Sequence, residues 1–162
     1  MRKFVLVSLL CILFCSSCVH PTEFTEDSVQ ETFLNLEENE VVFKDIINQY
    51  KGEKVLIDIW ASWCKDCIVR LPELKDLQKE HPDVNYLFLS LDKSTIRWKK
   101  AISQYQLKGD HYFMKEGKKG PLGDFLGLWW IPRYVVVDEQ GKIALYKATK
   151  ITDKNIVEAL KK

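Results

Sequence analysis

The sequence has few metal ligands outside one short stretch. Its three histidines are scattered singly, and three of its five cysteines lie within the first eighteen residues. A structural zinc site needs four cysteine or histidine ligands, commonly as two close pairs, and beyond the N-terminal segment the chain has one such pair, Cys64 and Cys67. A haem attachment site would place a histidine directly after the second cysteine, where Ile68 stands. We therefore expect no metal site and no cofactor apart from a disulfide.

The chain also lacks an excess of charge of either sign. It has 24 lysine and arginine residues against 23 aspartate and glutamate residues, a net charge of +1. No basic patch or nucleic-acid motif accompanies that balance, so we expect no nucleic acid as a partner. Internal repeats and low-complexity tracts are absent from the sequence as well. The length of 162 residues, with 46% hydrophobic and 29% charged residues, predicts a single domain, which we expect to be a monomer.

The N-terminal segment has the order of a secretion signal. Arg2 and Lys3 precede an apolar run over residues 4–14, which is too short to span a bilayer comfortably. Two serines then lead to Cys18, an arrangement that resembles a bacterial lipobox, although leucine is usual where Cys15 stands. An ordinary signal peptide cut nearby, leaving a soluble protein, is the alternative. Three segments are predicted: a signal peptide over 1–17, a lipidated N-terminus and tether over 18–30, and a domain over 31–162.

Two cysteines stand three residues apart where a predicted strand leads into a predicted helix. Residues 54–60 are a short apolar run rich in β-branched side chains, and large apolar residues recur at helical spacing over 65–80. Cys64 is then at a helix N-terminus, where unpaired N–H groups and the helix dipole favour a thiolate. Cys67 lies one turn further in and can close onto it. The pattern indicates a redox dithiol, and a purely structural disulfide is the alternative.

The remaining elements predict an α/β sandwich with a mixed sheet. Asp58 interrupts the apolar strand, and cover on both sheet faces would raise its pKa by desolvation. The last two strands form a hairpin. Further strands are predicted at 32–36, 84–91, 111–114 (a sheet edge), 133–138 and 142–146. Helices are predicted at 42–50, 65–80 (kinked at Pro72), 95–105, 122–126 and 153–160 (capped by Thr152).

The run from Val55 to Cys67 contains Asp58 and Trp-Cys-x-x-Cys, and a later Ile131-Pro132 completes the pattern. It resembles the thioredoxin superfamily, and most closely its TlpA/ResA-like branch of extracytoplasmic disulfide reductases, over roughly residues 30–160. The resemblance implies a three-layer sandwich, with a central mixed β-sheet and helices on both faces. It also implies a cis peptide bond before Pro132, packed against the dithiol.

The resemblance and the exposure of each side chain predict roles for the site residues. Cys64, at the helix tip, is the expected attacking thiolate, and the shielded Cys67 is the expected resolving thiol. Asp58 is expected to take and return the proton of Cys67; the alternative is a carboxylate satisfied by hydrogen bonds without a catalytic part. Four residues are expected to bind substrate: Trp63, Trp130, Ile131 and Pro132. Trp130 and its neighbour Trp129 are equally open to an interpretation as core residues.

Two positions depart from the family pattern. Lys65-Asp66 replaces the Gly-Pro common in thioredoxins, and their opposite charges leave the redox potential unreadable. Arg70 stands where ResA-type reductases carry a glutamate, so a carboxylate role there is lost, although Glu73 is close enough in sequence to approach the site. This departure weakens the link to cytochrome c maturation as a specific function.

We predict an exported, membrane-anchored thiol–disulfide oxidoreductase that reduces disulfides of substrate proteins in the cell envelope or periplasm. The expected partners are those substrate proteins, the membrane through the lipid anchor, and a membrane thiol-transporting reductase as electron donor. A disulfide oxidase or isomerase is the first alternative. A copper chaperone that binds metal through the two cysteines and His111 is the second alternative.

Overall fold

The structure is a computed structural model, and it describes residues 20–161. The predicted signal peptide and the lipidated Cys18 lie outside these residues. The strands are β1 (Thr32–Leu34), β2 (Glu40–Val42), β3 (Val55–Trp60), β4 (Asn85–Ser90), β5 (Asp110–Met114), β6 (Arg133–Val137) and β7 (Ile143–Ala148). They form one mixed sheet in the order β2-β1-β5-β4-β3-β6-β7.

Seven helices accompany the sheet within residues 20–161. They are α1 (Glu26–Val29), α2 (Phe43–Asn48), α3 (Lys65–Ile68), α4 (Leu71–Glu80), α5 (Thr95–Tyr105), α6 (Pro121–Phe125) and α7 (Lys154–Lys161). A 3₁₀ turn at Gly117–Lys119 precedes α6. Within residues 20–161, none of the helices is long and apolar enough to cross a membrane.

The strand β3 is an inner strand that is covered on both faces. It runs parallel to β4 and antiparallel to β6, and all six of its residues are buried. Because successive side chains of a strand point to opposite faces, burial of the whole strand requires cover on both sides of the sheet. The predicted buried strand is therefore confirmed, and with it the three-layer arrangement.

One face of the sheet carries Leu56, Asp58 and Trp60 and is covered by α4. Tyr86, which is in register with Leu56, donates from its hydroxyl to the Leu77 carbonyl in α4 at 3.2 Å. The two crossovers β3-α4-β4 and β4-α5-β5 advance in the same direction across the sheet. Right-handed crossovers that advance in one direction place their helices on one face, so α5 lies on this face as well.

The opposite face receives the C-terminal end of α6. Arg133 is in register with Ile59, which points away from Asp58 by strand alternation. Its guanidinium donates to the carbonyl of Leu126, directly after α6. The segment between β5 and β6 is thereby fixed to the sheet.

The predicted edge position of the strand at 111–114 is wrong. β5 lies between β4 and β1, and Phe33 of β1 pairs antiparallel with Met114. The hairpin of β1 and β2 extends the sheet beyond β5. β2 itself is a second difference, because residue 42 is predicted as the start of a helix and is instead the last residue of this strand.

The helix predicted over 65–80 is interrupted. α3 ends at Ile68 and α4 begins at Leu71, with Val69 and Arg70 in helical backbone conformation between them. Pro72 has no N–H for the Ile68 carbonyl, and its ring crowds that carbonyl. The predicted kink is therefore confirmed, and it lies in the turn before the proline.

The predicted tether over 18–30 is a folded part of the domain from about Thr22 onward. The Thr22 carbonyl accepts a hydrogen bond from the Ile143 N–H at 2.7 Å. Phe24 packs edge-on against Phe43, with ring centroids 5.2 Å apart. The predicted Thr152 cap is also wrong, since Asp153 accepts from the Asn155 N–H at 2.9 Å at the start of α7.

Candidate redox site

The two cysteines lie where β3 passes into α3. Cys64 is the N-cap residue of α3, and its Sγ accepts a hydrogen bond from the Cys67 N–H at 3.1 Å. The Cα atoms of the pair are 5.3 Å apart, and their sulfurs are joined in a disulfide. The predicted position of Cys64 at a helix start is confirmed, with Cys67 one turn inward.

The two cysteines have similar exposed fractions, but a surface groove reaches only one of them. Cys64 is 6% exposed and Cys67 is 3% exposed, so both cysteines are buried. Cys64 nevertheless lines a groove of about 380 Å³ that we call the dithiol groove, and Cys67 does not line it. A second thiol arriving through this groove therefore meets Cys64 first.

Asp58 is a buried carboxyl on the face covered by α4. It is 5% exposed, and its Oδ1 has no hydrogen-bond partner among the described residues. Desolvation by burial raises the pKa of Asp58 to about 8. The predicted rise in the pKa of Asp58 is confirmed. The alternative, a carboxylate whose two oxygens are both hydrogen-bonded, does not hold, because Oδ1 has no partner among the described residues.

Other ionisable groups lie close to Asp58. Tyr134 is its register partner on β6, and burial raises the pKa of the Tyr134 hydroxyl, with the charges of Asp58 and Glu73 adding to the rise and that of Arg70 opposing it. Glu73 also pairs with Arg70, with Oε1 and Nη1 3.3 Å apart. Glu73 and Arg70 therefore lie near Tyr134, and the approach of Glu73 to the dithiol stays a prediction.

The peptide bond between Ile131 and Pro132 is cis, as predicted. The Ile131 carbonyl oxygen is 3.7 Å from the Cys64 Sγ, so this turn packs directly against the dithiol. Both residues are buried. Ile131 lines the dithiol groove, and Pro132 lines an adjoining groove of about 400 Å³ that we call the flanking groove.

Three tryptophans surround the disulfide at the surface. Trp63 is 60% exposed, Trp129 91% and Trp130 62%. The interpretation of Trp129 and Trp130 as core residues is therefore wrong. Both line the dithiol groove and the flanking groove, so they form a ridge between the two.

These features match known proteins over most of the chain. A family model described as thioredoxin-like matches residues 52–143. The chain belongs to the thioredoxin-like family. The thioredoxin-like protein YneN of Bacillus subtilis (strain 168) is 31% identical over 121 residues, which cover 72% of this chain and 69% of YneN.

Two further relatives are thiol-disulfide oxidoreductases by name. ResA of Bacillus thuringiensis subsp. konkukian (strain 97-27) is 27% identical over 130 residues, covering 79% of this chain and 71% of ResA. A solution structure from Bacteroides vulgatus, described as a thiol-disulfide oxidoreductase, superposes with a TM-score of 0.67 at 28% identity. It covers 84% of this chain and 87% of that one. With the Cys64–Cys67 disulfide in place, the chain is a thiol–disulfide oxidoreductase of the thioredoxin-like family.

Sequence reasoning missed a second buried carboxylate beside the dithiol of this thioredoxin-like protein. Asp92, just after β4, is 4% exposed. It accepts from the Ser62 N–H at 2.9 Å, from the Ser62 hydroxyl at 2.6 Å and from the Ser90 hydroxyl at 2.9 Å. Asp92 thus fixes the turn between β3 and Cys64. An aspartate directly after a buried strand was the available signal.

Arg133, the residue after the cis proline, was also missed. It is 2% exposed, and its Nη2 donates to the Gly127 carbonyl at 3.2 Å, in addition to its bond with Leu126. Its Nε has no partner among the described residues, and desolvation lowers the pKa of the guanidinium. Arg133 holds the chain that leads into the Trp129–Trp130 ridge.

The geometry does not favour the copper-chaperone alternative. His111 is buried, stacks on Phe88 with ring centroids 4.8 Å apart, and has Nε2 3.2 Å from the Leu107 carbonyl. Burial lowers its pKa. Among residues 20–161, no group of three histidine, cysteine, aspartate or glutamate residues is arranged to hold a metal ion.

Proposed function

We propose that this oxidoreductase is an exported, lipid-anchored reductase of disulfides in substrate proteins. The observation that carries the proposal is the buried Asp58 carboxyl, without a partner at Oδ1, on the strand that leads into the dithiol. Its pKa of about 8 is close to the ordinary thiol value of about 8.5. A carboxyl and a thiol of similar pKa exchange a proton with little loss of free energy.

The proposed reaction begins with the reduced dithiol. The Cys64 thiolate attacks one sulfur of a substrate disulfide, a mixed disulfide forms, and the first substrate sulfur leaves as a thiolate that takes up a proton. Asp58 accepts the proton of Cys67, whose thiolate then attacks the Cys64 Sγ. The second substrate sulfur leaves and is protonated. The two electrons of the dithiol have then passed to the substrate, and the Cys64–Cys67 disulfide remains.

The substrate segment is proposed to lie across Trp63, Trp130, Ile131 and Pro132. The Ile131 carbonyl, 3.7 Å from the Cys64 Sγ, is an acceptor for a backbone N–H of an extended chain. The exposed indole of Trp130 offers a large apolar contact at low entropic cost. Both features support binding of an extended protein segment at the attacking sulfur.

Export and anchoring rest on the sequence of the leader. The order of basic residues, apolar run and Ser-Ser-Cys18 supports lipidation at Cys18, and a dithiol outside the cytoplasm needs an electron donor, for which we propose a membrane thiol-transporting reductase. Cys18→Ala should move the protein from membrane to soluble fractions or stall its processing. Unchanged detergent partitioning together with an unchanged mature mass would contradict lipidation and leave the redox function standing.

A redox titration separates reductase from oxidase or isomerase. A reductase should have a potential near the thioredoxin end of the scale, at about −250 mV or lower, and a value above about −180 mV would favour the alternative.

The separate roles of Cys64 as attacking thiol and Cys67 as resolving thiol are tested by trapping. Cys67→Ser should accumulate mixed disulfides with partners in the cell envelope, and Cys64→Ser should not; equal trapping by the two variants would contradict the assigned order.

A further inference from the structure

The surface around the attacking sulfur combines an apolar ridge with positive charge. The dithiol groove and the flanking groove meet at Trp129 and Trp130, and Asp66 lines both. Beyond the ridge, the dithiol groove has an apolar wall that includes Leu91 and Leu128. A chain that lies across the ridge therefore reaches both grooves.

Basic side chains line the rims of both grooves. Lys65 and Lys118 line the dithiol groove, and Lys147 and Lys150 line the flanking groove together with Arg70. All four lysines are exposed. Among the described residues, the only carboxylate in the lining of either groove is Asp66. The chain as a whole has a net charge of +1, so this concentration of positive charge is local.

The four lysines form no ion pair with a carboxylate of the part of the chain that the structure describes. Within residues 20–161, the ion pairs formed by other lysines and by Arg70 do not include them. Arg70 is paired with Glu73 and therefore contributes less. The buried Arg133 guanidinium also lines the flanking groove, and its two bonded nitrogens meet only backbone carbonyls. A buried cation without a carboxylate partner favours an anion arriving in the groove.

We propose that the substrate segment is acidic: an extended chain that carries glutamate or aspartate on both sides of a large apolar residue, close to its disulfide cysteine. The apolar residue contacts the Trp129–Trp130 ridge, and the carboxylates meet Lys65 and Lys118 on one side and Lys147 and Lys150 on the other. This inference rests on the proposed reductase function, because the occupant is the disulfide-bearing substrate. Complementary charge of this kind acts mainly on association rate and selectivity.

The test uses three peptides of one sequence, each joined through its cysteine to a small thiol reporter as a mixed disulfide. The flanking positions are glutamate, glutamine or lysine, and the central apolar residue is constant. With the reduced full-length protein in excess at low ionic strength, the second-order rate constant of the single reduction should be about tenfold higher for the glutamate peptide than for the lysine peptide, with glutamine between. At 0.5 M salt the difference should shrink to about twofold, because exposed charges are screened.

A matched pair of variants locates the effect. Lys147→Glu with Lys150→Glu should abolish or reverse the preference. The control, Lys51→Glu with Lys108→Glu, makes the same charge change at exposed positions just before β3 and β5. These parallel strands start at the end of the sheet opposite the dithiol, so the control should leave the preference intact. Equal rates for the three peptides, or an equal preference in both double variants, would overturn the inference.

Reduction of a small uncharged disulfide, measured in parallel, tests the proposed reductase function separately from the acidic substrate class. If the wild-type protein reduces that disulfide and treats the three peptides alike, only the acidic substrate class is overturned. If it reduces neither the small disulfide nor any peptide, the proposed reductase function fails, and the acidic substrate class fails with it.

Discussion

Two buried aspartates flank the route into the dithiol, and they are buried to nearly the same extent. Asp58 is 5% exposed and Asp92 is 4% exposed. Asp92 accepts three hydrogen bonds from two serines, whereas Asp58 has a buried oxygen with no partner. The same side chain at the same depth is thus a structural anchor at one position and, in the proposed reaction, a proton-exchanging group at the other. Hydrogen bonding, rather than burial, separates the two roles.

The largest expected effect is on the pH dependence of stability at Asp58. The pKa is about 8 in the folded chain and about 3.9 in an unfolded one. Between these pH values Asp58 is protonated in the folded state and ionised in the unfolded state. The stability that the neutral carboxyl gives the folded state is therefore fully present below about pH 4 and is lost as pH rises through about 8. Asp58→Asn removes this dependence, and its stability relative to wild type should rise by about 5 kcal/mol from pH 4 to pH 9.

Urea unfolding of both proteins at pH 4, 6.5 and 9 measures this difference. Any constant cost of the buried amide cancels from the slope. A difference between variant and wild type that stays level across the three pH values would show that Asp58 titrates normally in the folded state.

The second expected effect is a loss of stability at Asp92, whereas the change at Asp58 is expected to raise stability at high pH. Asp92→Asn loses an acceptor oxygen and places an NH₂ group against donors, so it should destabilise the fold by about 2–3 kcal/mol at pH 7.5. Urea unfolding provides the measurement. Asp76→Asn, at an exposed carboxylate paired with Lys79 on α4, is the matched control and should cost less than about 0.5 kcal/mol. Equal costs at the two positions would refute an anchoring role.

The third expected effect is kinetic and belongs to Asp58 alone. Asp58→Asn should keep the fold and slow the release of reduced substrate near neutral pH by about tenfold, since no carboxyl then accepts the Cys67 proton. The slowing should fade toward pH 9, where the thiol ionises without help. Stopped-flow turnover of a protein disulfide from pH 6 to 9 gives the profile. Rates that match wild type throughout that range would remove the proton role.

The smallest expected effect concerns one of the three bonds to Asp92. Ser62→Ala removes the hydroxyl that lies 2.6 Å from Asp92 and keeps the backbone N–H bond, so it should cost about 1 kcal/mol. The loss should be mostly absent when Ser62→Ala is combined with Asp92→Ala, which a double-mutant cycle measures. Full additivity of the two losses would show that the two side chains act independently.

The residue pattern around the dithiol was sufficient to predict much of the local structure of the site. The apolar run at 54–60, the helical spacing that follows and the position of Cys64 between them are local features, and the structure has them as predicted. The buried state of Asp58 also followed, because a strand that is apolar on both sides of a single aspartate is covered on both faces. The cis bond before Pro132 came from the family resemblance and not from the residues alone.

Other features depend on contacts between distant parts of the chain. Asp92 meets Ser62 across 30 residues, and β1 pairs with β5 across about 80, which moves β5 from the predicted edge to the interior of the sheet. Phe24 packs against Phe43 and turns the predicted tether into part of the domain. Periodicity reports which face of an element is buried, but it does not report which element covers that face.

The sequence alone determined that a strand leads into a helix with a CxxC at its start, because hydrophobic periodicity and helix-capping preferences act over a few residues. Only the tertiary structure decided that one buried aspartate is saturated with donors and the other is not. It also decided that Trp129 and Trp130 stand at the surface, surrounded by four lysines that form no ion pair among residues 20–161. These properties depend on which side chains the sheet topology brings within about 3–4 Å, and residues far apart in sequence carry no local signal of that proximity.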